Sequence, residues 1–466
     1  MGNEDGTNAG RMIQAKRGQS RKLGVSAWLL RFGLTVFLCG LWQSGFAATD
    51  QPPPGQPETP VLQLSLRDAM QAAIDQNPSI RLFKERITQA QDVADTQLGE
   101  LLPNLSGGLS YSRRRFFLGR FGSGSRVSDP TDFYDTRAFL TQNVFSLSLI
   151  QRWRAAKTGV EVAGLDAEVT KRDTMATVGL VYLETLRAKA AVEARKADVL
   201  LNKVLLRLST ERKAAGMATR LDVTRSKVQL ENERQRLLAA EIAEGRATLN
   251  LIRAMGISFD VKLVLTDELT MVPLPEQTMK EALQLAQDNR TELKAQKRRE
   301  RLASLALSSV TSERIPSIQA TGEVGMIGNQ IPDMLTTDGV AVLMTVPIFD
   351  GGQREGRISE RRSIVRQEAI NTQDIQYQVT LEVRDALLTL NAAKQQVAVA
   401  DKSLELSLTE LELARERFAV GVATNIEVTN AQTSVAQARD NLIQGLFNFN
   451  ASRISLARSQ GRLQDL

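Results

Sequence analysis

Histidine is absent from the 466 residues and cysteine occurs once, as Cys39. Without imidazole and with a single thiol, the ligand sets of zinc and haem sites and the usual nucleophilic triads cannot be assembled. No metal or cofactor is expected. An enzyme would have only Asp and Glu to work with, and these lie mostly on helix faces as solvated charges, with no pocket-like cluster. Aromatic residues are scarce, at 5%. The net charge is +6, but residues 1 to 47 hold Arg11, Lys16, Arg17, Arg21, Lys22 and Arg31 against Glu4 and Asp5, net +4, which leaves +2 for the remainder. A balance so near neutral, with few stacking rings, sets nucleic acid aside as a partner. Past Leu62 no run of 18 or more apolar residues occurs. Any part of that region that enters a membrane must do so as strands.

The front of the chain has its own layout. Residues 11 to 31 are basic, Phe32 to Trp42 are mostly apolar, and Gly45 and Ala47 put small residues three and one before a cut. This is the three-part pattern of a secretory signal, so residues 1–47 are read as a signal peptide cleaved after Ala47. The apolar stretch falls well short of the ~20 residues that span a bilayer. Cys39 follows the bulky Leu38 inside that stretch, so lipidation is not expected, and the mature chain has no cysteine and no disulfide. Pro52, Pro53, Pro54, Pro57 and Pro60 make 48–63 an extended Pro-rich linker.

An internal repeat of about 210 residues comes next, far too long for a solenoid unit, and implies duplication. Asp68 to Asp75 aligns with Glu281 to Asp288, and Leu102-Pro103-Asn104-Leu105 with Ile315-Pro316-Ser317-Ile318, both at an offset of 213. Gly216-Met217-Ala218-Thr219 meets Gly421-Val422-Ala423-Thr424, and Met255-Gly256 meets Gln460-Gly461, at an offset of 205. The difference falls mostly in the polar stretch from Arg113 to Asp132, read as an exposed loop. The repeats are placed at 64–273 and 277–466.

Proline is missing from Thr131 to Val272 and from Ile348 to the end. The second window carries a heptad: Val383, Leu390, Val397, Leu404, Leu411 and Phe418, with Ala386, Ala393, Ala400, Ser407 and Ala414 three residues later. Such a period supercoils helices left-handedly, and the small residues let neighbours approach closely. The pattern predicts long helices over 148–214 and 353–418, each about 100 Å at 1.5 Å per residue. Return helices are expected over 219–254 and 423–460, and shorter ones over 79–101 and 291–313. A stacked short pair nearly matches one long helix, which suggests a layer of antiparallel helices.

Strand character appears over about 103–146 and 316–349. Ile318, Ala320, Gly322, Val324 and Met326 alternate with Ser317, Gln319, Thr321 and Glu323; Leu105, Leu109 and Tyr111 alternate with Asn104, Ser106, Ser110 and Ser112. Period two gives one apolar face. Each half offers a hairpin, so the chain offers four strands, too few for a membrane barrel, whose smallest members have about eight. Closure requires oligomerisation: three copies give twelve strands and an open pore. The competing reading is a soluble β-subdomain beside a coiled coil.

Together, the duplicated layout, the paired Leu-Pro-Asn-Leu and Ile-Pro-Ser-Ile strand starts, the passage Val346-Pro347-Ile348-Phe349-Asp350-Gly351-Gly352 and the twin Gly-x-x-Thr turns resemble the TolC family of outer-membrane channel proteins, from Leu64 to Gly461. The resemblance implies a mainly α protomer with a membrane β-barrel portion. Its long coiled-coil helices would form an α-helical barrel, and its four strands would join a trimeric 12-stranded transmembrane β-barrel. It also implies an outer-membrane location extending into the periplasm, contact with outer-membrane lipid, and a homotrimer. As a passive exit duct it would serve a tripartite efflux pump or type I secretion system, with a periplasmic adaptor and an inner-membrane pump of RND or ABC type. The tip turns Gly216, Met217, Ala218, Thr219 and Gly421, Val422, Ala423, Thr424 would meet the adaptor.

Acids that face the tunnel mouth in the family map onto Asp222 and Glu427, and a second acid one turn later is replaced by Asn430. An aromatic hydroxyl and an arginine that link neighbouring coiled coils fall at Phe418 and Ala423, which cannot supply those bonds, whereas Arg220 offers a different link. The entrance is therefore expected to close mainly by packing. The runner-up is a soluble periplasmic coiled-coil scaffold or adaptor.

Overall fold

The computed structural model describes residues 60–117, 127–272 and 275–465. The expected signal peptide, its cleavage point, Cys39, most of the Pro-rich linker and the centre of the 113–132 loop lie outside these residues.

The chain runs β1 (Val61–Leu64), α1 (Leu66–Gln76), α2 (Pro78–Gly99), β2 (Asn104–Arg114), β3 (Thr131–Phe145), α3 (Leu147–Ala214), α4 (Arg220–Met255) and then β4 (Lys262–Leu265), α5 (Met279–Asn289), α6 (Thr291–Thr311), β5 (Ser317–Gly328), β6 (Leu335–Thr345), α7 (Gln353–Ala419), α8 (Asn425–Ser459). The same seven elements thus occur twice. The second set opens at β4, so the structural seam precedes Lys262 and not residue 277. Likewise, residues 61–63 of the expected linker belong to β1, because Val61 to Leu64 pairs in parallel with Lys262 to Leu265. Four-residue strands are too short to show a period. The aligned segments at 68–75 and 281–288 form α1 and α5, short helices absent from the sequence-based expectation.

α3 and α7 hold 68 and 67 residues. Their length follows from the missing prolines and the heptad: Val383, Val397, Leu411 and Phe418 are buried, as are Ala386, Ala393, Ala400 and Ala414. α3 packs against α2, α4, α6 and α8, and α7 against α5, α6 and α8.

The shorter helices meet end to end. Gly256 ends α4 in the left-handed region at φ 79°, and a Cβ there would lie 2.9 Å from the Cα of Asn77. Asn77 caps α2, with Pro78 in the first turn, and its Nδ2 donates to the Ala254 carbonyl at 2.7 Å. Gly461 stands in the same relation to Asn289, at 3.0 Å. There Arg290, buried before α6, donates to Ser459 O at 3.3 Å and to Glu382 Oε2 at 2.6 Å. The alignment of Met255-Gly256 with Gln460-Gly461 therefore marks two helix junctions where only glycine fits.

The largest core lies where β1 and β4 meet the helices, with Leu64, Met70, Val178, Tyr182, Leu251, Met255 and Ile454 buried together. The fully buried Tyr182 hydroxyl lies 2.9 Å from Asp267 Oδ2 and 3.0 Å from Leu64 O. Burial, then the Asp267 carboxylate, push its ionisation far up, so it stays a donor.

The second sheet is antiparallel in the order β2-β3-β5-β6, with strands of 11, 15, 12 and 11 residues. The expected 113–132 loop is shorter than its assignment, since Arg113 pairs with Asp132 and Arg114 with Thr131. The β3–β5 pair joins the two halves.

Tyr182→Phe keeps the packing but removes the one buried hydroxyl proton shared between the half-buried Asp267 carboxylate and the Leu64 carbonyl, which keep donors from Leu66 and Thr266. We expect a loss of about 1–3 kcal/mol, read as an earlier midpoint in denaturant unfolding followed by helical circular dichroism.

Candidate functional site

Residues directly opposite in an antiparallel pair share a face, so the register sorts the sheet. One face takes Leu105, Leu109 and Tyr111 from β2, then Tyr134 and Leu140 from β3. β5 adds Ile318, Val324 and Met326 to it, and β6 adds Val340, Val342 and Met344. Leu109 and Val340 are 81% and 89% exposed. An apolar surface this continuous, bare to water, marks contact with lipid or protein.

The other face takes Ser106, Ser110, Asp135, Gln319, Thr321 and Glu323, with Phe139 and Leu343 as exceptions and Phe133, Ile327 and Leu335 towards the loop end. At its centre Arg137 bonds Asp135 at 2.7 Å and Glu323 at 3.0 Å. Strands of 11 residues or more reach or exceed the roughly 9–11 that cross a bilayer as a tilted β-strand. Tyr111 and Tyr134 stack 5.0 Å apart towards the loop end, where aromatic girdles of membrane strands lie. Among the described residues no helix is long and apolar enough to cross a membrane.

At the opposite end of the long helices lie the two tip turns. Gly216 and Gly421 adopt φ of 76° and 89°, ending α3 and α7. Thr219 and Thr424 then start the return helices, but differently. Thr219 forms a capping box with Asp222: its amide and hydroxyl donate to Asp222 Oδ2 at 2.9 and 2.7 Å, and the Asp222 amide donates to its hydroxyl at 3.2 Å. These bonds hold the Asp222 carboxyl below its ordinary value. Thr424 makes no side-chain cap bond. Glu427 instead pairs with Arg417 at 3.2 Å. Both predicted mouth acids are thus engaged within their own hairpin. Asn430 and Arg220 are exposed, and the Arg220 guanidinium has no acceptor in bonding distance among the described residues.

Phe418 is only 4% exposed, within a core of Leu205, Leu411, Val428 and Val435. Arg212, itself 8% exposed, stacks its guanidinium 4.4 Å from the Phe418 ring centre, while its Nε and Nη1 have no hydrogen-bond partner. A cation–π contact so desolvated is worth about 2 kcal/mol. Asn425, also buried, donates to Asp222 O at 3.2 Å and lies 3.3 Å from Ser226 Oγ.

The two hairpins of one protomer are therefore tied at the tip by Arg212 on Phe418 and by Asn425 on α4. Sequence reasoning missed both, since each joins residues about 200 positions apart. The one available signal was Asn425 standing where the first repeat has Arg220. Higher up, Asp198 on α3, almost fully buried, binds Arg195 at 3.0 Å and Arg439 of α8 at 2.8 Å, and Arg195 also binds Asp440. That cluster fastens α3 to α8.

The model of the outer membrane efflux protein family matches residues 69–257 and 282–462, one segment in each half. Outer membrane protein TolC of Escherichia coli K12 is 21% identical over 451 residues, covering 93% of this chain and 87% of that one. Protein CyaE of Bordetella pertussis is 23% identical over 411 residues, covering 86% and 84%. Among solved structures, the Campylobacter jejuni CmeC outer membrane channel superposes with a TM-score of 0.74 at 16% identity, covering 85% of this chain and 86% of that one. The open state of the Neisseria gonorrhoeae MtrE outer membrane channel gives 0.72 at 17%, covering 85% and 89%.

The unequal caps yield a test. Thr219→Ala should cost about 1 kcal/mol of local stability, seen as faster hydrogen exchange in the first turn of α4, whereas Thr424→Ala should leave α8 unchanged. Because the folded Asp222 carboxyl sits below its unfolded value of 3.8, its contribution is present at neutral pH and is lost as pH falls below that value.

Proposed function

Since one family model covers both halves, the chain belongs to the outer membrane efflux protein family, and we propose that it works as a homotrimeric exit duct. It is a channel of the outer membrane that reaches into the periplasm, the outer component of a tripartite efflux or secretion system. A periplasmic adaptor and an inner-membrane pump of RND or ABC type are its partners in this reading.

The observation that carries it is the two-faced, four-stranded sheet with open edges at β2 and β6. One sheet cannot close on itself, but three placed edge to edge give twelve strands, an apolar exterior and a polar lumen carrying Arg137, Asp135 and Glu323. A soluble scaffold gives no reason for Leu109, Val340 and their neighbours to be bare.

The tips carry the rest. Met217, Val420 and Val422 are exposed apolar residues on the turns, a surface suited to the adaptor. The four-residue turns Gly216 to Thr219 and Gly421 to Thr424 are its contact. The entrance is closed by the Arg212 stack on Phe418, by the Asn425 bonds and by hairpin packing, with Asp222 and Glu427 near the mouth and with no link from Arg220. Cations are attracted weakly at this level, because Glu427 is paired and the next turn holds Asn430.

Single-channel recording in planar bilayers tests both levels. The purified oligomer should conduct in small, closed-state steps. A bond worth about 1 kcal/mol shifts an open–closed ratio roughly fivefold and a contact worth about 2 kcal/mol roughly thirtyfold, so Asn425→Ala and Phe418→Ala should raise that ratio by about those two factors, and Arg220→Ala should not. Lipid vesicles left impermeable by the wild-type protein would end the duct reading. A large opening by Arg220→Ala would end this account of the entrance alone.

A further inference from the structure

β2 and β6 are the edges of the sheet, and in a bilayer their outward backbone groups must find partners. In the trimeric reading, on which the present inference depends, β2 of one copy lies against β6 of the next. That arrangement leaves the register open. A slip of one residue would turn the apolar face inward, so odd-numbered residues of β2 must face even-numbered residues of β6. A slip of two preserves the faces, and hydrophobicity alone does not choose among the permitted registers.

Charge does choose. On the apolar face β5 has no charged residue, and β6 has one, Asp338, opposite Val324 and between Thr336 and Val340. Among the described residues no cation lies within salt-bridge distance of it. On the same face of β2 stands Arg113, its side chain 62% exposed and held only by a 3.7 Å contact to Asp132. Each lies near the loop-side end of its strand: Arg113 one residue before the end of Asn104–Arg114 and Asp338 three residues after Leu335. An isolated charge on a lipid-facing strand is destabilising, less so towards the interface, and a guanidinium set against a carboxylate relieves both.

We propose that Arg113 of one protomer pairs with Asp338 of the next across the β2–β6 seam, and that this pair selects the register in which the barrel closes. With these two opposite each other, Tyr111 faces Val340 and Leu109 faces Val342, so the neighbouring contacts on that face are apolar on apolar. The register two residues lower sets Tyr111 against Asp338, although the Tyr111 hydroxyl already donates to Asp132 at 2.9 Å. The register two residues higher sets Arg113 against Val340 and gives Asp338 only Arg115, which lies past the end of β2 at Arg114 and has no ladder bonds to hold it there.

Disulfide mapping on the full chain tests the register, with Cys39→Ser as background. Directly opposite residues have Cα atoms about 4.5–5.5 Å apart, within disulfide reach, and residues two positions off do not meet as well. Arg113→Cys with Asp338→Cys should give covalent dimers and trimers on non-reducing gels. Tyr111→Cys with Asp338→Cys and Arg115→Cys with Asp338→Cys should remain mostly monomeric.

Charge reversal provides the second arm. Arg113→Asp and Asp338→Arg should each reduce the detergent-resistant oligomer by about tenfold, and the double reversal should recover most of it. Strongest cross-linking in either shifted pair, or no gain in the double reversal, overturns the pairing while the wild-type channel still conducts. Absence of both cross-links and conductance overturns the pairing and the duct together.

Discussion

A hydrogen-bonded sheet in hydrocarbon has no water to satisfy its borders, and this single constraint governs the architecture. Two hairpins joined through β3 and β5 produce one sheet with two open edges. Nothing among the described residues supplies a fifth strand to that sheet, so in the proposed duct closure falls to other copies. In that proposed duct the helical layer answers the same demand: the long helices must be uninterrupted to continue a wall built from several subunits, which fits the absence of proline and the small residues that recur along the seam of α7.

Duplication shaped both halves, yet they have diverged where they touch their surroundings. Junctions at Gly256 and Gly461 keep the same backbone geometry with different helpers, Asn77 in one and Arg290 in the other. The turns show the opposite: glycines of the same left-handed conformation lead into a capping box in one hairpin and into a bare threonine with a charged pair beside it in the other. Junction glycines are constrained by contact with a neighbouring backbone. Turn side chains are free to specialise.

Much of this was legible in the sequence because it is periodic. The heptad of α7 predicts which side chains are buried, and the strand alternation predicts which residues share a face. The expected ranges 148–214 and 353–418 fall within a residue of α3 and α7 at each end. What escaped was either too short or too distant. β1 and β4 have four residues each, below any period, and so a repeat boundary drawn from the sequence falls too late. The contacts of Arg212 with Phe418 and of Asn425 with α4 connect positions far apart in the chain, and no local pattern announces them. In the sequence Phe418 stands as the last heptad position of α7 and as a position without a hydroxyl; in the fold its ring also supports a buried cation.

The unequal turns carry a geometric consequence. In the proposed ring of three protomers the six hairpin ends would alternate, one with its return helix clamped by a carboxylate and the next without that clamp. Such a rim is a crown of alternating stiff and loose teeth. Its symmetry is threefold even where the fold looks sixfold, and any widening begins at every other tooth.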